Sequence, residues 1–252
     1  MKRRFTLRMH DYIHYPKGKL KYNEELFAEI APKYDFITRA LSLGADAAWK
    51  DELVDKLPDI DHPYCLDLAC GTGDITFRLA NKYPAGLVVG LDVTEDMVAR
   101  ARFRNSHNNI SFVVQDMCQT GFDDNSFDIV TGGYALRNAP DIRKAISEIW
   151  RLMRSGATAA FLDFSKPDSR LFQKLENALL KSWGTFWGLT LHGNAQVYTY
   201  IAESLKQFPS CTQLKQYLNE KGFTNIQSKK HFGGITETII CEKAQESKKK
   251  NN

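Results

Sequence analysis

The stretch Leu66–Thr76, LDLACGTGDIT, continues an apolar run (YCLDLAC, 64–70) into a glycine loop and then a helical pattern, and it decides how the chain is read. Gly71 and Gly73 flank Thr72, and the helix starts near Asp74. Glycines here let the backbone turn tightly and come close to a ligand. A dinucleotide fold would place G-x-G-x-x-G at this point, so that a pyrophosphate rests on the helix N-terminus. Here the third glycine position is Thr76, and an acid, Asp74, stands where an anion would be repelled.

A ligand carrying an α-amino group and a sulfonium would instead find Asp67, in the strand end, and Asp74 useful, and S-adenosylmethionine is such a ligand. Asp74 alone would serve equally as a helix cap. Two further acids follow at strand ends. Asp92 closes LVVGLDVT and can accept both ribose hydroxyls; Asp116 and Met117 in VVQDM are placed for the adenine amine and ring face. Three acids at the ends of three successive strands make a coherent cofactor site.

Outward from the loop, LVVGLD (87–92), ISFVVQ (110–115), FDIVTGG (127–133) and ATAAFLDF (157–164) alternate with helix-length amphipathic stretches. That alternation predicts a doubly wound, mostly parallel α/β sheet with ligands at the carboxyl ends of its strands. The segment FTNIQSKKHFGGITETIICEK predicts a C-terminal antiparallel hairpin turning at Gly233-Gly234, which brings the count to seven strands. Residues 1–19 read as a basic arm, 20–57 as N-terminal helices, and 169–221 as a helical, aromatic-rich cap. All of 20–243 forms a single domain, and 244–252 is a polar basic tail.

The 252 residues are 43% hydrophobic and 25% charged, the balance of a globular domain that needs no staple. Five cysteines without a CxxC pair predict reduced thiols in a cytosol-like compartment and no metal site. The net charge of +4 resides at the ends: Lys2, Arg3, Arg4 and Arg8 contribute +4 and Lys248–Lys250 contribute +3, leaving the body at −3. That body has no excess of cations for nucleic acid. No stretch is long and apolar enough to span a bilayer, and no signal peptide is visible.

Beyond the shared loop, four ordered segments resemble the ubiquinone/menaquinone biosynthesis C-methyltransferases of the class I, Rossmann-like, S-adenosylmethionine-dependent fold. These are YDFITRALSLGADAAWK (34–50), GGYALRNAPD (132–141), LDFSKP (162–167) and YTYIAESLKQFP (198–209). The chain departs from the family pattern at Thr38, Ala47, Asp163 (where Glu is frequent) and Gly133 (where a Ser can contact the cofactor). The resemblance implies cofactor contacts at Thr76, Asp92, Asp116 and Met117, with Gly71, Gly73 and Gly133 lining the same site. It implies a catalytic segment at Arg137 and Asn138, and a prenylated quinol substrate of benzoquinol or naphthoquinol type.

An arginine has donors only, so Arg137 would stabilise a phenolate or position a water, with Asn138 fixing the geometry. A water or the quinol's own oxygen could take the ring proton; His192 is another candidate. Tyr34 and Tyr198 would line the substrate pocket, under an apolar roof from the aromatic cap, whose Trp183 and Trp187 are expected to cover the sheet. A bilayer-borne substrate implies weak peripheral contact with the inner face of a membrane through the basic ends, and a homodimer is compatible with all of this. Two alternatives stay open: O- or N-methylation of another small aromatic metabolite, and a non-catalytic subunit of a quinone-making assembly.

Overall fold

A computed structural model describes Phe5 and residues 7–245. The basic residues Lys2, Arg3, Arg4 and Lys248–Lys250 lie outside the described residues. Seven strands form one sheet: β1 (Tyr64–Leu68), β2 (Leu87–Asp92), β3 (Ile110–Val114), β4 (Phe127–Gly133), β5 (Met153–Phe164), β6 (Phe223–His231) and β7 (Thr236–Lys243). Their order is β3-β2-β1-β4-β5-β7-β6, with β7 alone antiparallel to both neighbours. The doubly wound sheet and the terminal hairpin expected from the sequence are both present.

Strand residues alternate between two cores. Leu66, Leu68, Val130 and Phe161 meet α7 (Ile142–Leu152) and α10 (Cys211–Lys221) on one face. Cys65, Val88, Ile129 and Ala160 meet α3 (Asp46–Asp55) and α4 (Asp74–Lys82) on the other. β1, β2 and β4 are buried on both faces, so they read as nearly continuous apolar runs, whereas the edge strand β3 leaves Ser111 and Val114 exposed. α5 (Glu95–Arg104) covers the β3 side through Val98 and Ala101.

The N-terminal region departs from the expected boundary. α1 spans Pro16–Ile30, starting inside the stretch read as a loose arm, because Pro16 occupies the first turn, where its missing N–H costs nothing. A 3-10 turn containing Pro32 separates α1 from α2 (Tyr34–Leu41). Both helices lie over the carboxyl ends of the strands, in a third core built around Tyr22, Leu26, Ile37, Tyr198 and Tyr200.

The cap consists of α8 (Arg170–His192) and α9 (Gln196–Gln207), with the short α6 (Ala135–Asn138) beneath it. α8 and α9 pack closely because Gly184 and Gly188 carry no side chain. A Cβ would fall 2.7 Å from the Tyr198 carbonyl oxygen at the first and 2.5 Å from that of Asn194 at the second. Trp187 packs into the N-terminal core and Trp183 is exposed, so neither covers the sheet as expected.

Candidate active site

Two cavities meet above the carboxyl ends of β1, β2 and β4. The first is a narrow cleft of about 50 Å³ lined by Ala69, Gly71, Asp92, Asp116, Met117 and Gly133, with Leu20, Asn23 and Phe27 of α1 closing over it. The second is an apolar cavity of about 360 Å³ lined by α1, α2, α8 and α9, with Arg137, Tyr198 and Tyr200 among its polar residues. Phe27, Tyr34, Tyr134 and Asn138 line both. They form the wall across which a group could pass from one ligand to the other.

In the cleft, Asp92 accepts the Gly71 N–H at 2.8 Å on one oxygen and the Thr94 N–H at 2.8 Å on the other. A carboxylate has about four acceptor positions, so each oxygen keeps one for a ligand hydroxyl. Burial raises the Asp92 pKa, while these N–H donors oppose the shift. Asp116 accepts the Cys118 N–H at 2.9 Å, which fixes its carboxyl at the end of β3. Gly73 caps α4 at φ +89°, the left-handed conformation that favours glycine.

The structure sends Asp67, Asp74 and Thr76 elsewhere. Asp67 accepts the Thr76 hydroxyl at 2.7 Å on one oxygen and the Thr131 hydroxyl at 2.9 Å on the other, and burial raises its pKa to about 6. Thr76 is fully buried behind the loop. Asp74 pairs with Lys50 at 2.7 Å and with Arg78. Burial pushes its carboxyl up, but the two cations prevail and hold it below the usual range. Lys50 also bridges to Asp46 at 2.6 Å, and Asp46 accepts the Tyr134 hydroxyl at 2.6 Å. None of Asp67, Gly73, Asp74 or Thr76 lines the cleft. These residues brace the loop, Asp67 through Thr76 and Thr131 and Asp74 through Lys50 and Arg78.

The family-like segments converge on one loop. Tyr34 stands over the glycine loop, its ring 3.6 Å from the point where a Cβ on Gly71 would sit. The neighbouring Asp35 holds it there by accepting the Thr72 hydroxyl at 2.6 Å and Arg104 at 2.7 Å. Burial pushes the Tyr34 hydroxyl up to about 12, so it is a neutral phenol at physiological pH.

Arg137, buried at 3% exposure, donates through Nη1 to Ser204 Oγ at 2.5 Å, and its guanidinium lies 5.2 Å from the Phe164 ring and 5.7 Å from that of Tyr200. Its Nε has no hydrogen-bond acceptor. Asn138 donates to the Tyr134 carbonyl at 2.7 Å. From α1, Lys19 donates to the carbonyls of Arg137 (2.7 Å) and Ala139 (2.8 Å), and Asn23 donates to that of Asn138 (2.7 Å). Three consecutive carbonyls of the loop are therefore held by one helix. Sequence reading missed Lys19, Asn23, Phe27, Lys50 and Tyr134; the motif segments around 50 and 134 were the available signal for the last two.

Tyr198 lines the apolar cavity, and its hydroxyl is 2.9 Å from His192 Nε2, with His192 Nδ1 3.8 Å from Glu29. Among the described residues lining this cavity there is no carboxylate or histidine. No cluster of metal-ligating side chains occurs among the described residues.

A seven-stranded sheet with a reversed β7, a glycine loop after β1 and acids at the ends of β2 and β3 define a class I S-adenosylmethionine-dependent methyltransferase. Within that class the chain belongs to the ubiE/COQ5 methyltransferase family, whose model matches residues 17–243. It is 30% identical to the demethylmenaquinone methyltransferase of Lactococcus lactis subsp. lactis, over 93% of this chain and 96% of that one. It is 33% identical to the ubiquinone/menaquinone biosynthesis C-methyltransferase UbiE of Rickettsia bellii, over 86% of this chain and 93% of that one. Among solved structures it resembles the methyltransferase in complex with the Haloferax volcanii Trm112 methyltransferase activator, with a TM-score of 0.65 and 16% identity over 87% of this chain and 98% of that one. The chain is an enzyme of the quinone-biosynthesis methyltransferase type, as its motifs implied.

Proposed function

We propose that the protein methylates a ring carbon of a prenylated benzoquinol or naphthoquinol at the wall between its two cavities. The observation that carries this reading is the shared lining of cleft and cavity by Phe27, Tyr34, Tyr134 and Asn138. The residues of the cleft fit S-adenosylmethionine: Asp92 has one free acceptor position per oxygen for the two ribose hydroxyls, Asp116 suits the adenine amine, and the Met117 thioether suits the ring face. Gly71 and Gly133 give the backbone access to the rest of the molecule.

When bound, S-adenosylmethionine would supply, on a sulfonium, the methyl that replaces a ring proton. The chain's own contribution is positional and electrostatic. The Arg137 guanidinium stabilises the phenolate that makes the ring carbon nucleophilic. Asn138, locked to Tyr134, sets the ring's orientation. Tyr34 and Tyr198 contact the ring and tail, and the apolar cavity excludes water. No carboxylate or histidine among the described residues lines the cavity, so the ring proton leaves through a water, the quinol oxygen, or the Tyr198 hydroxyl toward His192. Burial lowers the His192 pKa, which favours its neutral form.

The partner is thus a lipid-borne quinol, and contact with the membrane is peripheral; no helix among the described residues is long and apolar enough to cross a membrane. The test is incubation of the purified chain with S-adenosylmethionine and a short-tailed demethylquinol. The reading predicts a product one methylene heavier with one aromatic proton fewer. A methoxy product, or none, would overturn it.

A further inference from the structure

α8 carries large apolar side chains on two faces. Inward, Leu180, Trp187 and Leu191 pack against the cores, Gly184 and Gly188 meet α9, Asn177 donates to the Ala202 carbonyl at 2.8 Å, and Glu176 is buried. A second apolar set points to solvent, with Leu171 65%, Phe172 61%, Leu175 59%, Leu179 57%, Trp183 37%, Phe186 54% and Leu189 55% exposed. From Leu171 through Leu175, Leu179, Trp183 and Phe186 to Leu189 these positions recur every three or four residues and so form one stripe along the helix. The outer face of a surface helix is ordinarily polar, and an exposed apolar stripe of this length marks an interaction surface.

We propose that the outer face of α8 is where the protein lies on an anionic bilayer. Two observations select a lipid surface over a protein. The exposed charges on α8 are all basic: Arg170, Lys174 and Lys181 flank the stripe, while the one acid, Glu176, faces inward. Leucine, phenylalanine and tryptophan on one face with lysine and arginine beside them is the composition of interfacial helices, whose apolar side chains enter the acyl boundary while the cations meet anionic headgroups.

The stripe is also continuous with the mouth of the apolar cavity. Leu179 and Trp183 belong to both, and Leu43 and Phe232, each exposed, stand on the same rim. A bilayer held against α8 would therefore face the cavity opening, and a prenylated ring could enter without crossing water. This last step rests on the proposed substrate; the docking surface itself rests on the helix. The basic ends of the chain then supplement a contact that α8 makes.

The experiment is flotation of the full chain with phosphatidylcholine vesicles, with and without one quarter phosphatidylglycerol. It compares wild type with Phe172→Ser/Leu175→Ser/Phe186→Ser and with Lys174→Glu/Lys181→Glu; none of these residues lines the cavity. The proposal predicts that wild type binds the anionic vesicles and that the triple variant loses at least about tenfold in partitioning. The double variant should lose about tenfold on anionic vesicles and little on neutral ones. Turnover of a water-soluble, short-tailed quinol should be unchanged in both. Equal flotation of wild type and triple variant would overturn the proposal. So would a wild-type dimer in sedimentation velocity that the triple variant converts to monomer without any vesicle binding. If vesicle binding behaves as predicted but no quinol is methylated, the surface stands and the substrate assignment falls.

Discussion

Asp163 holds Arg137 twice: one carboxylate oxygen accepts the Arg137 backbone N–H at 2.9 Å, and the other lies 3.6 Å from Arg137 Nε. The nearer acid in sequence, Asp141, caps α7 instead, accepting the N–H groups of Arg143 at 3.0 Å and Lys144 at 3.1 Å. Burial raises the Asp163 pKa, and the Arg137 guanidinium opposes that shift. Removing one member of a buried pair strands the other charge. Asp163→Ala is expected to lower stability by about 3–5 kcal/mol in urea denaturation. Asp163→Glu, which supplies the acid frequent in the family, should fold and keep most activity.

Asp92 is predicted to bind the ribose. Asp92→Asn keeps one oxygen acceptor for the loop but removes charge and one acceptor, an effect of about 1.5–3 kcal/mol on hydrogen bonds to an ionised group. Titration calorimetry should show S-adenosylmethionine binding weakened by at least about tenfold in the folded variant, whose melting temperature falls because the Gly71 or the Thr94 N–H then faces an amide NH2. Unchanged affinity in the folded variant would remove Asp92 from the site.

Asp67 is predicted to matter for stability and not for the cofactor. Its pKa is raised to about 6 from 3.8, so the folded state binds more protons between those values and stability falls as pH rises through them. Above that window the ionised form costs about 3 kcal/mol. Asp67→Asn should match wild type below pH 4 and be more stable above pH 6, with cofactor affinity within about twofold because Asp67 is buried and does not line the cleft. A large loss of affinity would restore the direct charge role.

Lys19 is predicted to position the Arg137 loop. Burial, with Arg137 nearby, lowers its pKa to about 8, so it remains mostly charged at pH 7 while donating to two carbonyls. Lys19→Met should lower kcat by about tenfold, an order expected for loosening a catalytic loop, and speed hydrogen exchange at residues 137–139. It should leave the Kd for S-adenosylmethionine nearly unchanged. Normal exchange with lost activity would contradict positioning.

The fold was legible because sheet strands that pack against helices carry apolar runs, and five such runs alternate with helical periods. β5 begins at Met153, earlier than its apolar run, because Arg154, Ser155 and Gly156 lie in an exposed part that carries no hydrophobic signal. The site was legible in its residue types and not in their pairing. Asp74 looks like a ligand until Lys50, 24 positions earlier, is found against it. Lys19 and Asn23 act on a loop 115–120 residues away, a distance no local pattern spans. The Tyr134 backbone at φ +58° turns its side chain into the wall between the cavities, and such a conformation is unusual for a tyrosine. In α8 the periodic stripe was visible, but periodicity does not say which face meets the core.

The most direct test is a rapid-quench single turnover of the Arg137→Ala variant at saturating S-adenosylmethionine and short-tailed quinol, with the C-methylated product counted. Loss of one donor at the developing charge predicts a methyl-transfer rate lower by about 10²–10³, with cofactor affinity little changed. A folded Arg137→Ala enzyme forming the C-methylated quinol at the wild-type rate would contradict the account.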